Sequence, residues 1–349
     1  RLMYIAHEPD WEWRFVKEVF HRDKLVGIEG FRTYLRSSDP KVRQHNDLFL
    51  PTMTPKRSEF FANDIIFVGE MPGSAISQRF CEMAKQFVGE FGGGLVMIAG
   101  PHFGPGEWAG TELDDMLHVE VDATLSIRDQ REFRMEITPL GEATDFMRLG
   151  EADDDRENFD AWRNMGPLPW YQPVLKPHPF AEVLAEHPTD TCVDGKTKQP
   201  LIAVRRYGKG EVVYVAFNEL WRLRRKHGEK YYRQFWSQLM NRLALTHALG
   251  NQKRFVVRTD RERYNVDDHV TVIVEAYDEN FERLKQEKLV DGKLTAELYS
   301  PVDGAAARTI ALTPLRDGEY EARIPAHEAG EWRVRVKDPI ENETRELRF

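Results

Sequence analysis

The sequence predicts an α/β domain with a mostly parallel sheet, followed by an all-β domain. Three observations carry the prediction. Residues 1–250 alternate short apolar runs with stretches of helical periodicity. Residues 254–349 show only period-two alternation, with turn signals at Asp291-Gly292, Asp303-Gly304 and Asp317-Gly318. Leu249-Gly250-Asn251-Gln252-Lys253 reads as the linker between them.

The first domain opens on Leu2 to Ala6, a short apolar run read as a buried strand. Trp11, Phe15, Val16, Val19 and Phe20 then recur at helical spacing. Ile65 to Val68 is a second buried strand, ended by Gly69. Ser77 is the expected N-cap of a helix carrying Phe80, Met83, Ala84, Phe87, Val88 and Phe91 on one face, and Gly92-Gly93-Gly94 stops it. Leu95 to Ala99 follows as a third strand. This β-α-β-α-β order implies a mostly parallel sheet with helices on both faces.

Residues 117–200 read as less regular, with prolines at 167, 169, 177 and 179. Leu201–Val204 and Val212–Phe217 form a hairpin around Tyr207-Gly208-Lys209-Gly210. Tyr231, Tyr232, Phe235, Trp236, Leu239, Met240, Leu243 and Ala244 then make a continuous amphipathic stripe. In the second domain, Val270 to Ala276, Leu294 to Leu298, Thr309 to Leu312, Tyr320 to Ile324 and Trp332 to Val336 alternate apolar and polar residues. Roughly six or seven such strands predict an immunoglobulin-like β-sandwich. No Cys…Trp…Cys pattern accompanies them.

Composition narrows the function. The chain has 349 residues, is 41% hydrophobic and 31% charged, and carries a net charge of -9. That balance is globular and gives no electrostatic footprint for nucleic acid. The one dense basic stretch, Arg222 to Lys226, is short. Two cysteines, Cys81 and Cys192, exclude a disulfide framework and any CxxC metal spacing. No apolar run approaches the roughly 18 residues of a membrane helix. The chain begins at Arg1, directly on a strand-like run, so a piece of a longer protein is expected.

The residues at the strand ends are familiar. Tyr4-Ile-Ala-His-Glu-Pro-Asp-Trp-Glu-Trp-Arg-Phe15 comes first, then Gly92-Gly93-Gly94-Leu95 and Phe103-Gly104-Pro105-Gly106-Glu107-Trp108. Arg206-Tyr207-Gly208-Lys209-Gly210 and Tyr231-Tyr232-Arg233-Gln234-Phe235-Trp236 complete the set. With these motifs the chain resembles the class I glutamine amidotransferase-like superfamily, and within it the glutamine amidotransferase-like domains of large bacterial, often planctomycetal, membrane proteins. The resemblance covers nearly all of residues 1–250 and extends to Thr259-Asp260-Arg261-Glu262-Arg263-Tyr264, at the start of the following β-sandwich. It implies a flavodoxin-like three-layer α/β/α fold, a site at the carboxyl ends of the strands, and membrane segments elsewhere in the parent protein.

The departures from that family matter more than the matches. Working members carry Cys in G-x-C-x-G and a late F-H-P-E element. Here the elbow is Gly100-Pro101-His102-Phe103-Gly104, and the late element is Phe217-Asn218-Glu219-Leu220. His102 stands at the Cys position and Asn218 at the His position. Thiolate attack needs a Cys and an adjacent base, so the family's catalytic residues do not carry over. Neither Cys81 nor Cys192 is placed to substitute.

The sheet mouth is expected to gather His7, Glu8, Glu70, His102, Asn218, Glu219 and Trp221 into a polar pocket for a small ligand. The plainer reading is a set of capping and elbow residues. His102 and Glu219 are the weak catalytic candidates. Glu151 to Asp155 lacks the spacing of a calcium loop and reads as a solvated acidic loop. Trp11/Trp13, Trp108 and Trp162/Trp170/Tyr171 raise a sugar-stacking platform, with core packing as their expected role; Trp11 and Trp13 cannot share a helix face. Neither glycine-rich segment matches a nucleotide fingerprint, so no cofactor is expected.

Together these readings predict a non-catalytic amidotransferase-like binding and assembly module, part of a bacterial membrane-associated protein, with the extracytoplasmic side favoured. Its expected partners are other domains of its own longer chain or a membrane complex. The alternatives are a hydrolase or amidotransferase-like enzyme using His102 and Glu219, with or without a metal, and a carbohydrate-binding module.

Overall fold

A computed structural model describes the chain except residues 24–25, 27–29, 122–126, 128–130, 152–153, 251–253, 262 and 302–307, and the side chains of 245–250 and 290. Ala152 and Asp153 of the acidic loop, Asn251 to Lys253 of the linker, Glu262 and the Asp303-Gly304 turn therefore lie outside the described residues. The chain divides into two compact units, Arg1–Gln252 and Lys253–Phe349.

The first unit is built on β1 (Leu2–Ala6), β2 (Phe31–Leu35), β3 (Ile65–Val68), β4 (Gly94–Ile98), β5 (Val119–Glu120), β6 (Glu136–Ile137), β7 (Lys176–Pro177), β8 (Glu182–Thr191), β9 (Lys198–Tyr207) and β10 (Gly210–Val215). Eight of these form one sheet in the order β2-β1-β3-β4-β10-β9-β8-β6, and β5 pairs with β7. Every residue of β1, β3 and β4 is buried, which is why these strands read as continuous apolar runs rather than alternating ones.

The three-layer flavodoxin-like expectation is corrected here. β2, β1, β3, β4 and β10 run parallel, but β9, β8 and β6 each run antiparallel to their neighbours. The sheet is mixed. The cause is the hairpin itself: β10 joins β4 in parallel, so its hairpin partner β9 must enter antiparallel. β8 then extends that half within the stretch read as irregular. Its pairing with β9 shifts register repeatedly, so no clean alternation marks it in the sequence.

Three helices position the site. α1 (Trp11–His21) is capped by Asp10, whose side chain accepts from the Trp13 amide at 2.7 Å. α2 (Gln78–Gly89) is capped by Ser77, as its sequence predicts. α3 (Lys230–Gly250) buries Tyr232, Phe235, Trp236, Leu239 and Leu243. Among the described residues no helix is long and apolar enough to cross a membrane.

The second unit consists of β11 (Phe255–Thr259), β12 (His269–Ala276), β13 (Leu294–Tyr299), β14 (Arg308–Arg316), β15 (Glu319–Pro325), β16 (Arg333–Lys337) and β17 (Thr344–Arg348). The expected two-sheet sandwich is also corrected. All seven strands form one antiparallel sheet, ordered β11-β12-β15-β14-β13-β16-β17, whose two ends approach each other to nearly close a barrel. β14 makes it continuous. Arg308 to Leu312 pair with β13, and Thr313 to Arg316 pair with β15 across a register shift. The inward residues Val270, Val272, Val274, Ala296, Leu298, Tyr320, Val334 and Val336 fill one core.

Candidate functional site at the strand ends

The parallel strands end level with one another. Ile5 is in register with Val68, Val68 with Met97, and Ile98 with Val215. From β1 the chain moves to one side to make β2 and returns on the other side to make β3. The strand order therefore reverses between β1 and β3, the kind of switch point at which open α/β sheets bind ligands. The His7 amide donates to the Glu70 carbonyl at 2.7 Å across this switch point.

Glu70 organises the elbow. Its Oε1 accepts from the amides of His102 and Phe103, the latter at 3.0 Å, and lies 3.0 Å from His102 Nδ1. The Glu70 side chain is largely buried (14% exposed), whereas the His102 ring is 78% exposed. The Gly100 amide closes the turn on the Phe103 carbonyl at 3.0 Å. Both elbow glycines have a packing reason: a Cβ on Gly100 would overlap the Glu70 carboxyl, and one on Gly104 would overlap Gln172. The Gln172 side-chain amide in turn donates to the Gly100 carbonyl at 2.8 Å. The turn is a socket for two side chains, Glu70 and Gln172.

The late element is held by a second carboxylate. Asn218 Nδ2 donates to Asp10 Oδ2 at 2.7 Å. Burial is the main reason the Asp10 carboxyl is pushed up to about 6; bonds from the Trp13 amide and Asn218 oppose the shift, and the charges of Glu70 and Glu219 add to it. Glu12, two residues on, is fully buried. Tyr232 Oη donates to its Oε1 at 2.7 Å, and the Trp221 amide donates to its Oε2 at 2.9 Å. Burial pushes the Glu12 carboxyl up to about 8 despite those donors.

The seven predicted residues divide into two linked groups. His7, Glu70 and His102 meet through the bonds above, with the His7 ring edge-on to Phe103 at 5.5 Å. Glu8 is exposed and lies 3.8 Å from His7 Nε2. Asn218 and Trp221 are tied to the start of α1, and Glu219 forms an ion pair with Arg222. His7 Nδ1 is buried and has no hydrogen-bond partner among the described residues. Among those residues no group of three or more His, Cys, Asp or Glu is placed to hold a metal ion. Both thiols are buried: burial raises Cys81, and pushes Cys192 up to about 11.

Asp10 and Glu12 are absent from the sequence-predicted set. Asp10 had a legible signal, a capping residue three before Trp13. Glu12 had none, because a charged residue inside a helical stripe is assigned to solvent. The consequence reaches Trp11. The buried face of α1 is Glu12, Trp13, Val16, Val19 and Phe20, which turns Trp11 outward to 56% exposure. Trp108, Trp162 and Tyr171 are buried, as expected, whereas Trp170 is only half-buried.

Comparisons with known proteins add little. The FixH family profile matches residues 253–349, the second unit and under half of the chain. No curated protein matches. Among solved structures the chain is similar to the exo-beta-1,4-mannosidase Op5Man5 from Opitutaceae bacterium strain TAV5. That match has a TM-score of 0.31 and 14% identity, over 71% of this chain and 35% of that one. The aligned part thus spans 35% of that enzyme's length, and a likeness this weak transfers neither fold nor function.

Proposed function

We propose that residues 1–250 act as a non-catalytic, amidotransferase-like binding and assembly module within a larger, membrane-associated bacterial protein. The observation that supports this most is the pairing of Asn218 with Asp10 and of His102 with Glu70. The positions at which the resembled enzymes keep a base and a nucleophile here hold residues committed to fixing loops. His7 Nδ1, buried and without a hydrogen-bond partner among the described residues, costs about 1–3 kcal/mol unless a ligand or water satisfies it, which is compatible with a small polar molecule at the strand ends. The membrane association and an extracytoplasmic location rest on the sequence resemblance.

The rival enzyme would use His102 and Glu219. Glu219 is engaged by Arg222, and the His102 ring faces Glu70 with no thiol or hydroxyl nucleophile bonded to it among the described residues. The assay is ammonia release from L-glutamine by the wild-type chain, His102→Ala and Glu219→Gln. All three are expected to match the buffer rate. Release that either substitution abolishes would establish the enzyme.

A further inference from the structure

The one dense basic stretch of the sequence, Arg222 to Lys226, takes no part in the strand-end site beyond Arg222. It meets the end of the helix Asp155–Asn164. That helix buries Asn158, Ala161 and Trp162, and the Trp162 indole donates to the Met147 carbonyl at 2.8 Å. Phe159 and Arg163, one turn apart, are left facing outward. Phe159 is 62% exposed, and the Arg163 guanidinium lies over its ring, 5.9 Å from the centroid. Other cations reach the same helix end. Arg134 Nη1 donates to the Arg163 carbonyl at 2.8 Å, and Lys226 Nζ donates to Asn164 Oδ1 at 3.0 Å. The Arg225 guanidinium lies 3.0 Å from where a Cβ on Gly166 would stand.

The helix end explains part of this gathering, since its free carbonyls attract cations. Arg134 serves them directly, but Arg163, Arg225 and Lys226 donate to none of them among the described residues. All four cations are exposed, and none makes an ion pair among the described residues. Two neighbouring carboxylates are engaged by other partners: Glu229 by Arg224, and Glu157 by Lys230 and Tyr231. Glu132 and Asp160 are the exposed carboxylates beside Arg134 and Arg163 in sequence, two against four cations. On a chain of net charge -9 this is a local excess of the opposite sign. Nucleic-acid affinity grows with each phosphate neutralised and with bases stacked on open rings. Four cations and a ring under Arg163 supply little of either. An anionic bilayer asks for less. Clusters of about four to eight Lys and Arg hold its headgroups, and an exposed aromatic among them can enter the headgroup boundary. The Phe159–Arg163 pair suits that boundary, because the ring can go in while the guanidinium stays level with the phosphates.

We propose that Arg134, Phe159, Arg163, Arg225 and Lys226 form a docking surface for the anionic lipid headgroups of a membrane. The proposal goes beyond the module reading, in which the membrane is reached only through other parts of the parent chain. Here the folded first unit itself touches lipid.

The test is co-sedimentation of the full chain with vesicles of phosphatidylcholine containing about one-third phosphatidylglycerol, and with vesicles of phosphatidylcholine alone. Binding is expected to the first and not to the second, and it should weaken as salt is raised. The triple variant Arg163→Gln, Arg225→Gln, Lys226→Gln is expected to weaken binding about a hundredfold, at about fivefold per cation. The same change of net charge at exposed Lys41, Lys56 and Lys196 should leave it near wild type. Phe159→Ala should weaken binding at every salt concentration. The urea midpoints of these variants are expected to stay near wild type, since the altered side chains are exposed. Failure to bind the anionic vesicles would overturn the surface. So would binding that the two triple variants affect equally, or tighter binding of a duplex oligonucleotide through Arg163, Arg225 and Lys226. Ammonia release from glutamine would overturn the module reading and leave this surface intact, so the two failures are separable.

Discussion

Replacing Glu12 by Gln is expected to remove a large part of the pH dependence of folding between about pH 4.5 and 8. Glu12 ionises near 4.5 when unperturbed, and burial raises it to about 8 in the folded chain. In that window the folded protein holds a proton that the unfolded chain has released, so stability falls as pH rises. Below 4.5 both states are protonated and the contribution is complete. Above 8 both are ionised and it has been lost. The total is of order 3–5 kcal/mol at 1.36 kcal/mol per unit. Asp10, raised to about 6, adds a smaller slope of the same sign at lower pH. Gln cannot ionise, and it keeps an oxygen for Tyr232 or the Trp221 amide. Urea denaturation followed by tryptophan fluorescence should therefore show Glu12→Gln gaining on wild type steadily from pH 5 to 8. Parallel pH profiles for the two proteins would mean that Glu12 is not buried as described.

The second large effect is expected at the elbow. Gly100→Ala forces the Glu70 carboxyl out of its place, because the new methyl group occupies it. The amides of His102 and Phe103 then lose a charged acceptor. Bonds to charged groups are worth roughly 1.5–3 kcal/mol each, and the exposed His102 amide regains water, so a loss of about 2–4 kcal/mol is expected. Glu70→Ala should cost a similar amount for the same reason. The two losses should not add: Glu70→Ala removes the three atoms that lie nearest a methyl on Gly100, all of them in the Glu70 side chain. A double-mutant cycle should show Gly100→Ala nearly neutral in the Glu70→Ala background. Additive losses would show that Gly100 is required for something other than seating Glu70.

These two sites mark what the sequence can and cannot convey. The strands β1, β3 and β4 are legible because all their residues are buried, and Ser77 is legible because its hydroxyl caps α2. The mixed character of the first sheet follows from where the β9–β10 hairpin docks, and no local pattern specifies that. A sandwich and a nearly closed sheet share the same period-two alternation. Only the double pairing of β14 distinguishes them, and it depends on contacts distant in sequence. At the site, a hydrophobicity reading turns Trp11 inward and Glu12 outward. The structure reverses both, because Tyr232 and the Trp221 amide, more than two hundred residues away in sequence, satisfy the buried carboxyl.

The central claim is that the residues standing where a nucleophile and a base are expected serve the fold. Chemical denaturation of Asn218→Ala at pH 7 tests this most directly. A structural Asn218 leaves Asp10 short of a donor when removed, and a loss of about 1–3 kcal/mol is expected. Catalytic residues are commonly held at the expense of stability, so their removal leaves a protein as stable or more so. A midpoint for Asn218→Ala at or above that of wild type would contradict the account.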